Sequence, residues 1–186
     1  MLLMFDEVQT GFARTGEWFA WQHHFDSKGD VRPDVVTMAK ALGNGVPIGA
    51  IWAKREVAQA FQPGDHATTY GGQPLATSAA RAVLRIMEAI DAPSLAREAG
   101  DELMGKLLQV PNVTDTRGLG LLIAAEIDTE QVGMTGPEIA LACLKAGLVV
   151  NGITPTAIRL APPLTVSTNE IDEAMEKLSV VVEGDS

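Results

Sequence analysis

The chain has 186 residues, 46% of them hydrophobic and 20% charged, and its formal net charge is −10. This composition is typical of a globular chain of one domain or one and a half, and the acidic balance argues against nucleic acid and anionic membrane surfaces as partners. Cys143 is the single cysteine, which excludes an internal disulfide and fits a reducing compartment. No apolar stretch approaches the roughly 20 residues of a membrane helix, and residues 1–5 are too few for a signal-peptide core. We therefore expect a soluble, cytoplasmic protein.

The first part of the chain alternates short apolar segments with glycine-containing loops. Residues 1–5 are continuously apolar and predict a buried strand that ends at an acid. Segments 34–40 and 48–53 predict two further short strands, the second of them buried. A long helical pattern then runs from Leu75 to about Ile90. This order predicts part of a parallel α/β sheet in a domain of residues 1–85.

Residues 86–186 predict a smaller α+β domain. Leucine and alanine recur every four residues between Leu95 and Leu107, which indicates one face of a helix. Residues 118–127 predict a strand, and two further strands follow at 148–151 and 157–161. Two segments carry a threonine or serine three residues before a glutamate, which predicts a capping box at the start of a helix. These capping boxes are Thr135 with Glu138 and Ser167 with Glu170.

Asp6 ends the first apolar segment and Lys40 ends the second. Ligands of open parallel sheets bind outside the carboxyl ends of the strands. A lysine that is withdrawn from water loses its proton more readily and can then form a Schiff base. An acid beside a pyridinium nitrogen keeps that nitrogen protonated, and the two groups together suit pyridoxal phosphate (PLP) chemistry. The residues alone leave two alternatives open, Asp6 as the cap of a turn and Lys40 as a solvated surface residue.

Four segments, in the same order along the chain, resemble the class III aminotransferases, which are fold-type I PLP enzymes. The segments are "FDEVQTGFARTGEWFA", "RPDVVTMAKALGNGVPIGA", "TTYGGQP" and "IRLAPPL", between residues 5 and 164. The resemblance implies the C-terminal part of such an enzyme, a fragment of the large parallel-sheet domain followed by the small domain. It is greatest to members that act on N-acetylornithine, and implies transfer of that amino group, or that of a related ω-amino acid, to 2-oxoglutarate in arginine biosynthesis.

The resemblance assigns roles toward the cofactor to five residues. Lys40 is expected to form the Schiff base with PLP and to move the proton of the substrate. Asp6 is expected to pair with the pyridinium nitrogen, Val8 to pack on the ring, and Gln9 to bind near the phenolic oxygen. Thr69 is expected to bind the PLP phosphate of a neighbouring subunit, so the resemblance implies a homodimer or a higher assembly. For Gln9 and Thr69 the residues alone favour ordinary polar loop positions.

Arg159 is expected, by the same resemblance, to bind a substrate carboxylate, for which an arginine offers two parallel donors. An outward-facing surface arginine is the alternative. The implied partners are a small amino acid and a 2-oxo acid. The three histidines, His23, His24 and His66, lack metal-ligand spacing, and we expect no metal site.

The resemblance implies that other members of the family carry a long segment before the strand predicted at residues 1–5, and these 186 residues do not contain it. That segment supplies a glycine-rich phosphate loop, an aromatic ring that stacks on PLP and further substrate-binding side chains. A truncated, non-catalytic remnant or interaction module is therefore an alternative, as is another class III activity on ornithine or 4-aminobutyrate. We expect residues 1–5 to promote association, because their neighbouring strands are missing. The segment between Trp21 and Pro33 is also longer than is usual in the family.

Overall fold

The computed structural model describes residues 1–24 and 32–183. The chain divides into two compact units, Met1–Pro93 and Ser94–Ser186, and each has its own sheet. The boundary predicted between residues 85 and 86 lies within the helix Pro74–Ala89, which precedes this division. Most of the long segment between Trp21 and Pro33 lies outside the described residues.

The first unit contains a three-stranded sheet in the order β1-β2-β3. Its strands are β1 (Met4–Asp6), β2 (Val35–Met38) and β3 (Ala50–Ala53). β1 and β2 are parallel, and Asp6 is the register partner of Thr37. Val35 and Val36 of the central strand are both buried, although they point to opposite faces of the sheet. β2 is therefore covered on both faces, and this unit packs around it.

β3 departs from the predicted parallel arrangement, because it pairs with β2 in the antiparallel direction. A parallel return needs a crossover of about a dozen residues or more, usually with a helix. The connection between β2 and β3 contains only the short 3₁₀ helix Lys40–Leu42, and the chain therefore turns straight back. β3 is also not buried as predicted, since Ile51 and Trp52 are 60% and 48% exposed.

Two helices and a 3₁₀ helix complete the first unit. The 3₁₀ helix is Ala20–His24, and the α-helices are α1 (Arg55–Ala58) and α2 (Pro74–Ala89). α2 begins with Pro74, whose missing N–H and fixed φ suit the first turn of a helix. It buries the small residues Ala76 and Ala80 together with Met87, so the predicted long helix is confirmed.

The second unit has a four-stranded antiparallel sheet in the order β4-β5-β7-β6. The strands are β4 (Val113–Leu119), β5 (Leu122–Ile127), β6 (Asn151–Gly152) and β7 (Ala157–Leu160). The helices are α3 (Ala92–Leu107), which begins just before the division, α4 (Thr129–Val132), α5 (Gly136–Lys145) and α6 (Thr168–Glu183).

The single strand predicted at residues 118–127 is instead the end of β4, the turn and the whole of β5 in the β4–β5 hairpin. Gly120 adopts φ +53 in this turn, a left-handed conformation that glycine accepts without strain. Both predicted capping boxes are confirmed: Glu138 accepts hydrogen bonds from the N–H and hydroxyl of Thr135, and Glu170 does so from Ser167. These contacts fix where α5 and α6 begin.

The sheet and helices of the second unit enclose one apolar core. Its largest fully buried side chains are Leu103, Leu107, Leu121, Ile123, Ile139, Ile158, Ile171 and Leu178. Within the described ranges 1–24 and 32–183, no helix combines the length and the apolar character needed to cross a bilayer.

Candidate active site

The carboxyl ends of the parallel strands β1 and β2 place Asp6 and Thr37 side by side. The Thr37 hydroxyl donates a hydrogen bond of 3.0 Å to Asp6 Oδ1, and the Val8 N–H donates another of 3.0 Å to the same oxygen. Among the described residues, Asp6 Oδ2 accepts no hydrogen bond. The exposed carboxylate therefore has one oxygen fixed by the protein and one that can accept from a ligand.

Lys40 and Gln9 meet just beyond the same strand ends. Lys40 Nζ donates a hydrogen bond of 3.3 Å to Gln9 Oε1. Both side chains are exposed, so Lys40 is not withdrawn from water by this chain alone. The structure thus brings the predicted residues Asp6, Val8, Gln9 and Lys40 to one edge of the first unit.

The backbone of Lys40 is strained. Its φ is +42, in a left-handed region that costs a non-glycine residue about 1–2 kcal/mol. The Lys40 carbonyl accepts hydrogen bonds from the N–H groups of Gly43 and Asn44, at 3.1 and 3.2 Å. A Cβ on Gly43 would lie 2.1 Å from the carbonyl oxygen of Val46, so this tight turn requires glycine. Strain of this kind concentrates at functional sites.

A buried carboxylate that sequence reasoning missed holds the loop beside Lys40. Glu7 is 1% exposed, and its side chain accepts hydrogen bonds from the N–H groups of Ala20 and Trp21, at 3.1 and 3.0 Å, and from the Thr10 hydroxyl. Glu7 therefore joins the end of β1 to a segment more than ten residues away and closes the loop that carries Gln9. Its place inside the "DEVQTG" motif was the available signal, but an acid beside a strand end does not reveal whether it is buried.

The loop itself is compact. Phe12 and Ala13 are both buried and both have positive φ, +56 and +67, and the rings of Phe12 and Phe19 are 5.7 Å apart. Gly11 is required here because a Cβ would lie 2.8 Å from the carbonyl oxygen of Glu7. The position of Gln9 is therefore set by a folded loop.

Thr69 lies in an exposed segment of the first unit that has no helix or strand. Its neighbour Thr68 accepts a hydrogen bond of 3.2 Å from the Gly71 N–H. Within the described part of the chain, no hydrogen bond of the Thr69 hydroxyl is present, and no contact joins Thr69 to Asp6, Gln9 or Lys40. The structure does not bring Thr69 into the cluster at the strand ends.

Arg159 lies in the second unit, on β7, with Asn151 of β6 as its register partner. One terminal nitrogen of its guanidinium donates to Asn151 Oδ1 at 3.2 Å. The Nε atom is buried and has no hydrogen-bond partner among the residues that the structure describes. Because buried donors are almost always paired, an unsatisfied guanidinium nitrogen fits a ligand that accepts hydrogen bonds, such as a carboxylate.

Several other acidic groups have structural partners. Glu126 forms a 2.6 Å ion pair with Arg117 on the neighbouring strand, and hydrogen bonds from Arg117 and Thr156 lower the pKa of its carboxyl. Asp128 caps α4 by accepting from the Gln131 N–H at 3.1 Å. In the ranges that the structure describes, no group of three histidine, cysteine or acidic side chains could hold a metal ion.

The groups at the strand ends of the first unit fit PLP. Asp6 Oδ2 is an acceptor suited to a pyridinium N–H, Gln9 offers an amide, and Lys40 offers a primary amine. Three groups of different chemistry thus share one exposed edge. Before any ligand binds, Thr37 and Val8 donate to Asp6, and Lys40 donates to Gln9.

Comparison with known proteins agrees with this geometry. The aminotransferase class-III family matches residues 1–182. The acetylornithine aminotransferase of Methanothermobacter thermautotrophicus is 41% identical over 98% of this chain and 45% of its own length.

Solved structures are similar over the same extent. The acetylornithine aminotransferase of Elizabethkingia anophelis has a TM-score of 0.82 and 31% identity over 98% of this chain and 48% of its own. The ornithine aminotransferase of Plasmodium yoelii has a TM-score of 0.84 and 34% identity over 98% and 48%. The chain therefore spans less than half of these relatives, and it belongs to the class III aminotransferases, a family of PLP-dependent transferases with an α/β fold.

Proposed function

We propose that this chain is the PLP-binding and C-terminal part of an aminotransferase that moves an amino group from N-acetylornithine, or a related ω-amino acid, to 2-oxoglutarate. The observation that carries the proposal is the cluster of Asp6, Gln9 and Lys40 at the carboxyl ends of two parallel strands. The substrate follows from the relatives named as acetylornithine aminotransferases, which cover nearly all of this chain at about 41% identity.

Residues of the first unit act on the cofactor and on a proton. When bound, PLP supplies an electron sink for the carbon that carries the amino group. Asp6 Oδ2 would accept the hydrogen bond of the ring nitrogen and hold the proton on that nitrogen, and Val8 and Gln9 would orient the ring. Lys40 Nζ accepts the proton that leaves the amino-bearing carbon of the substrate. Its exposure in this chain means that further protein must exclude water around it.

Arg159 orients the substrate by binding a carboxylate. Its buried Nε finds no acceptor within residues 1–24 and 32–183, and Asn151 holds one terminal nitrogen in place. A carboxylate that accepts from the guanidinium in two-point fashion satisfies Nε and fixes the orientation of the acid. Both an amino acid and a 2-oxo acid carry such a group, so one arginine serves both stages of the reaction.

The assembly and the pathway are part of the same proposal. Thr69, in its exposed segment, would bind the PLP phosphate of a second copy, which makes the working form a homodimer or a higher assembly. Arginine biosynthesis and a cytoplasmic location follow from the proposed substrate and from the single cysteine.

The test uses the 186-residue chain and PLP. Added PLP is expected to produce a visible absorbance band, and reduction with borohydride to leave a pyridoxyl group on Lys40, located by peptide mass spectrometry. Lys40→Ala should abolish both signals. Lys145→Ala, which removes an exposed lysine in the second unit, is the control and should preserve them. Equal labelling in Lys40→Ala and wild type would contradict the assignment.

A second candidate, a non-catalytic remnant or interaction module, is favoured by the exposed apolar residues of the first unit. Met4 is 62% exposed on one outer strand, and Ile51 and Trp52 are exposed on the other. Outer strands of this kind associate readily. A chain that forms oligomers by light scattering but gains no absorbance band with PLP would favour this candidate over the enzyme.

A further inference from the structure

Thr37 makes two contacts with the strand that carries Asp6. Its carbonyl accepts a hydrogen bond of 3.0 Å from the Glu7 N–H, which continues the parallel ladder beyond Asp6. Its hydroxyl donates to Asp6 Oδ1 at 3.0 Å. Both contacts fit the register that pairs Thr37 with Asp6. The hydroxyl reaches the carboxylate because paired residues project to the same face of a sheet.

In the described part of the chain, the Asp6 carboxylate has one other donor, the Val8 N–H. A contact from an aspartate to the N–H two residues later is a local turn interaction that many aspartates make. This contact depends only on the backbone next to Asp6, and a carboxylate held by one hydrogen bond can still rotate. The Thr37 hydroxyl adds a second donor from a different strand, and two donors on Oδ1 restrict the direction in which Oδ2 points.

We propose that Thr37 is a positioning residue that aims Asp6 Oδ2 at the ring nitrogen of the bound cofactor. The inference rests on the proposed function for the identity of the ring, but the restraint on Asp6 belongs to the chain without any ligand. In this proposal Thr37 acts through Asp6, to which its hydroxyl donates.

Two substitutions separate the hydroxyl from the shape of the side chain. Thr37→Val keeps the β-branched shape and removes the donor, and valine is well suited to a strand. Thr37→Ser keeps the donor and is the rescue variant. Thr114→Val makes the same exchange of hydroxyl for methyl on β4, where the hydroxyl lies 3.4 Å from the Glu126 carbonyl, and serves as the control for general effects.

The first readout is nuclear magnetic resonance of the chain without ligand. Wild type, Thr37→Ser and Thr114→Val should show one dominant Asp6 χ1 conformer and a protected Val8 amide. Thr37→Val should show averaged Asp6 conformers and at least a severalfold faster exchange of the Val8 amide. A single unchanged Asp6 conformer in Thr37→Val would overturn the proposal.

The second readout is the dissociation constant of PLP, measured by absorbance. Thr37→Val should raise it about tenfold, the low end for the loss of a hydrogen bond to a charged group, since the site is exposed. Thr37→Ser should stay within about twofold of wild type. An unchanged constant in Thr37→Val would overturn the role toward the cofactor. If wild type binds no PLP, the proposed function fails instead, and the Asp6 conformers alone decide whether Thr37 positions the carboxylate.

Discussion

Replacing Glu7 by glutamine should destabilise the first unit far more than other exchanges of this kind. The carboxylate is fully buried and accepts from two backbone N–H groups and one hydroxyl. A glutamine has the same shape, but its amide nitrogen cannot accept a hydrogen bond. Whichever way the amide turns, at least one donor from Ala20, Trp21 or Thr10 faces an NH₂ group.

The magnitude follows from how many of these hydrogen bonds the glutamine breaks. Hydrogen bonds to charged groups contribute about 1.5–3 kcal/mol each, and a buried donor left unpaired costs about 1–3 kcal/mol. Because one or two of the three bonds would break, we expect Glu7→Gln to reduce the free energy of unfolding by about 2–4 kcal/mol. At a urea dependence of roughly 1–3 kcal/mol per molar, the unfolding midpoint should fall by about 1–2 M.

Tryptophan fluorescence is a suitable assay, because all three tryptophans, Trp18, Trp21 and Trp52, lie in the first unit. The control is Glu56→Gln, the same exchange at an exposed position of α1, which should change stability by less than about 0.5 kcal/mol. Equal urea midpoints for Glu7→Gln and Glu56→Gln would refute the reasoning, since the buried hydrogen bonds would then contribute nothing to folding.

Two further predictions concern the second unit. Hydrogen bonds from the N–H and hydroxyl of Thr135 lower the pKa of Glu138 below its ordinary 4.5, so the stability that they contribute is present above about pH 4.5 and is lost as the pH falls through the lowered native pKa. Glu138→Gln keeps a capping side chain without the charge, and its acid unfolding, followed by circular dichroism, should depend less on pH than that of wild type. Identical profiles for the two proteins would contradict this prediction. Burial raises the pKa of the Cys143 thiol to about 11 and leaves the thiol inaccessible. A thiol reagent at neutral pH should therefore label Cys143 slowly in the native protein and rapidly in urea. Fast labelling of the native protein would contradict this, because it would show that the core around α5 is open.

The sequence predicted the long helix α2 and the two strand-end residues because those depend on local patterns. An apolar run that ends at Asp6, and another that ends at Lys40, place both residues at carboxyl ends once the strands are parallel. The capping boxes are equally local, since the donor and the acceptor lie three residues apart. The roles of Val8, Gln9, Thr69 and Arg159 came from resemblance, and these roles and those of Asp6 and Lys40 stay predictions.

The remaining features depend on contacts between distant residues. The direction of β3 is set by the length of its connection to β2, and the exposure of Ile51 and Trp52 depends on what packs against the sheet. The burial of Glu7 depends on a loop that returns to it after more than ten residues. No periodicity in the sequence carries that information, although the glycines at 118 and 120 could have indicated the β4–β5 hairpin.

The exposed side chains of Asp6, Gln9 and Lys40 at the strand ends are held in place by contacts that include the buried Glu7. The loop carrying Gln9 is held by the hydrogen bonds of Glu7, and the Lys40 backbone is held in a strained turn that Gly43 makes possible. Strain of about 1–2 kcal/mol at Lys40 persists only if neighbouring contacts outweigh it. Since these contacts exist without a ligand, the Gln9 loop and the Lys40 backbone do not have to be ordered when a ligand binds, which lowers the entropic cost of binding. The exposed atoms of the cluster therefore depend on residues that never touch the ligand, and substitutions at Glu7 or Thr37 should affect binding even though Lys40, Gln9 and Asp6 are unchanged.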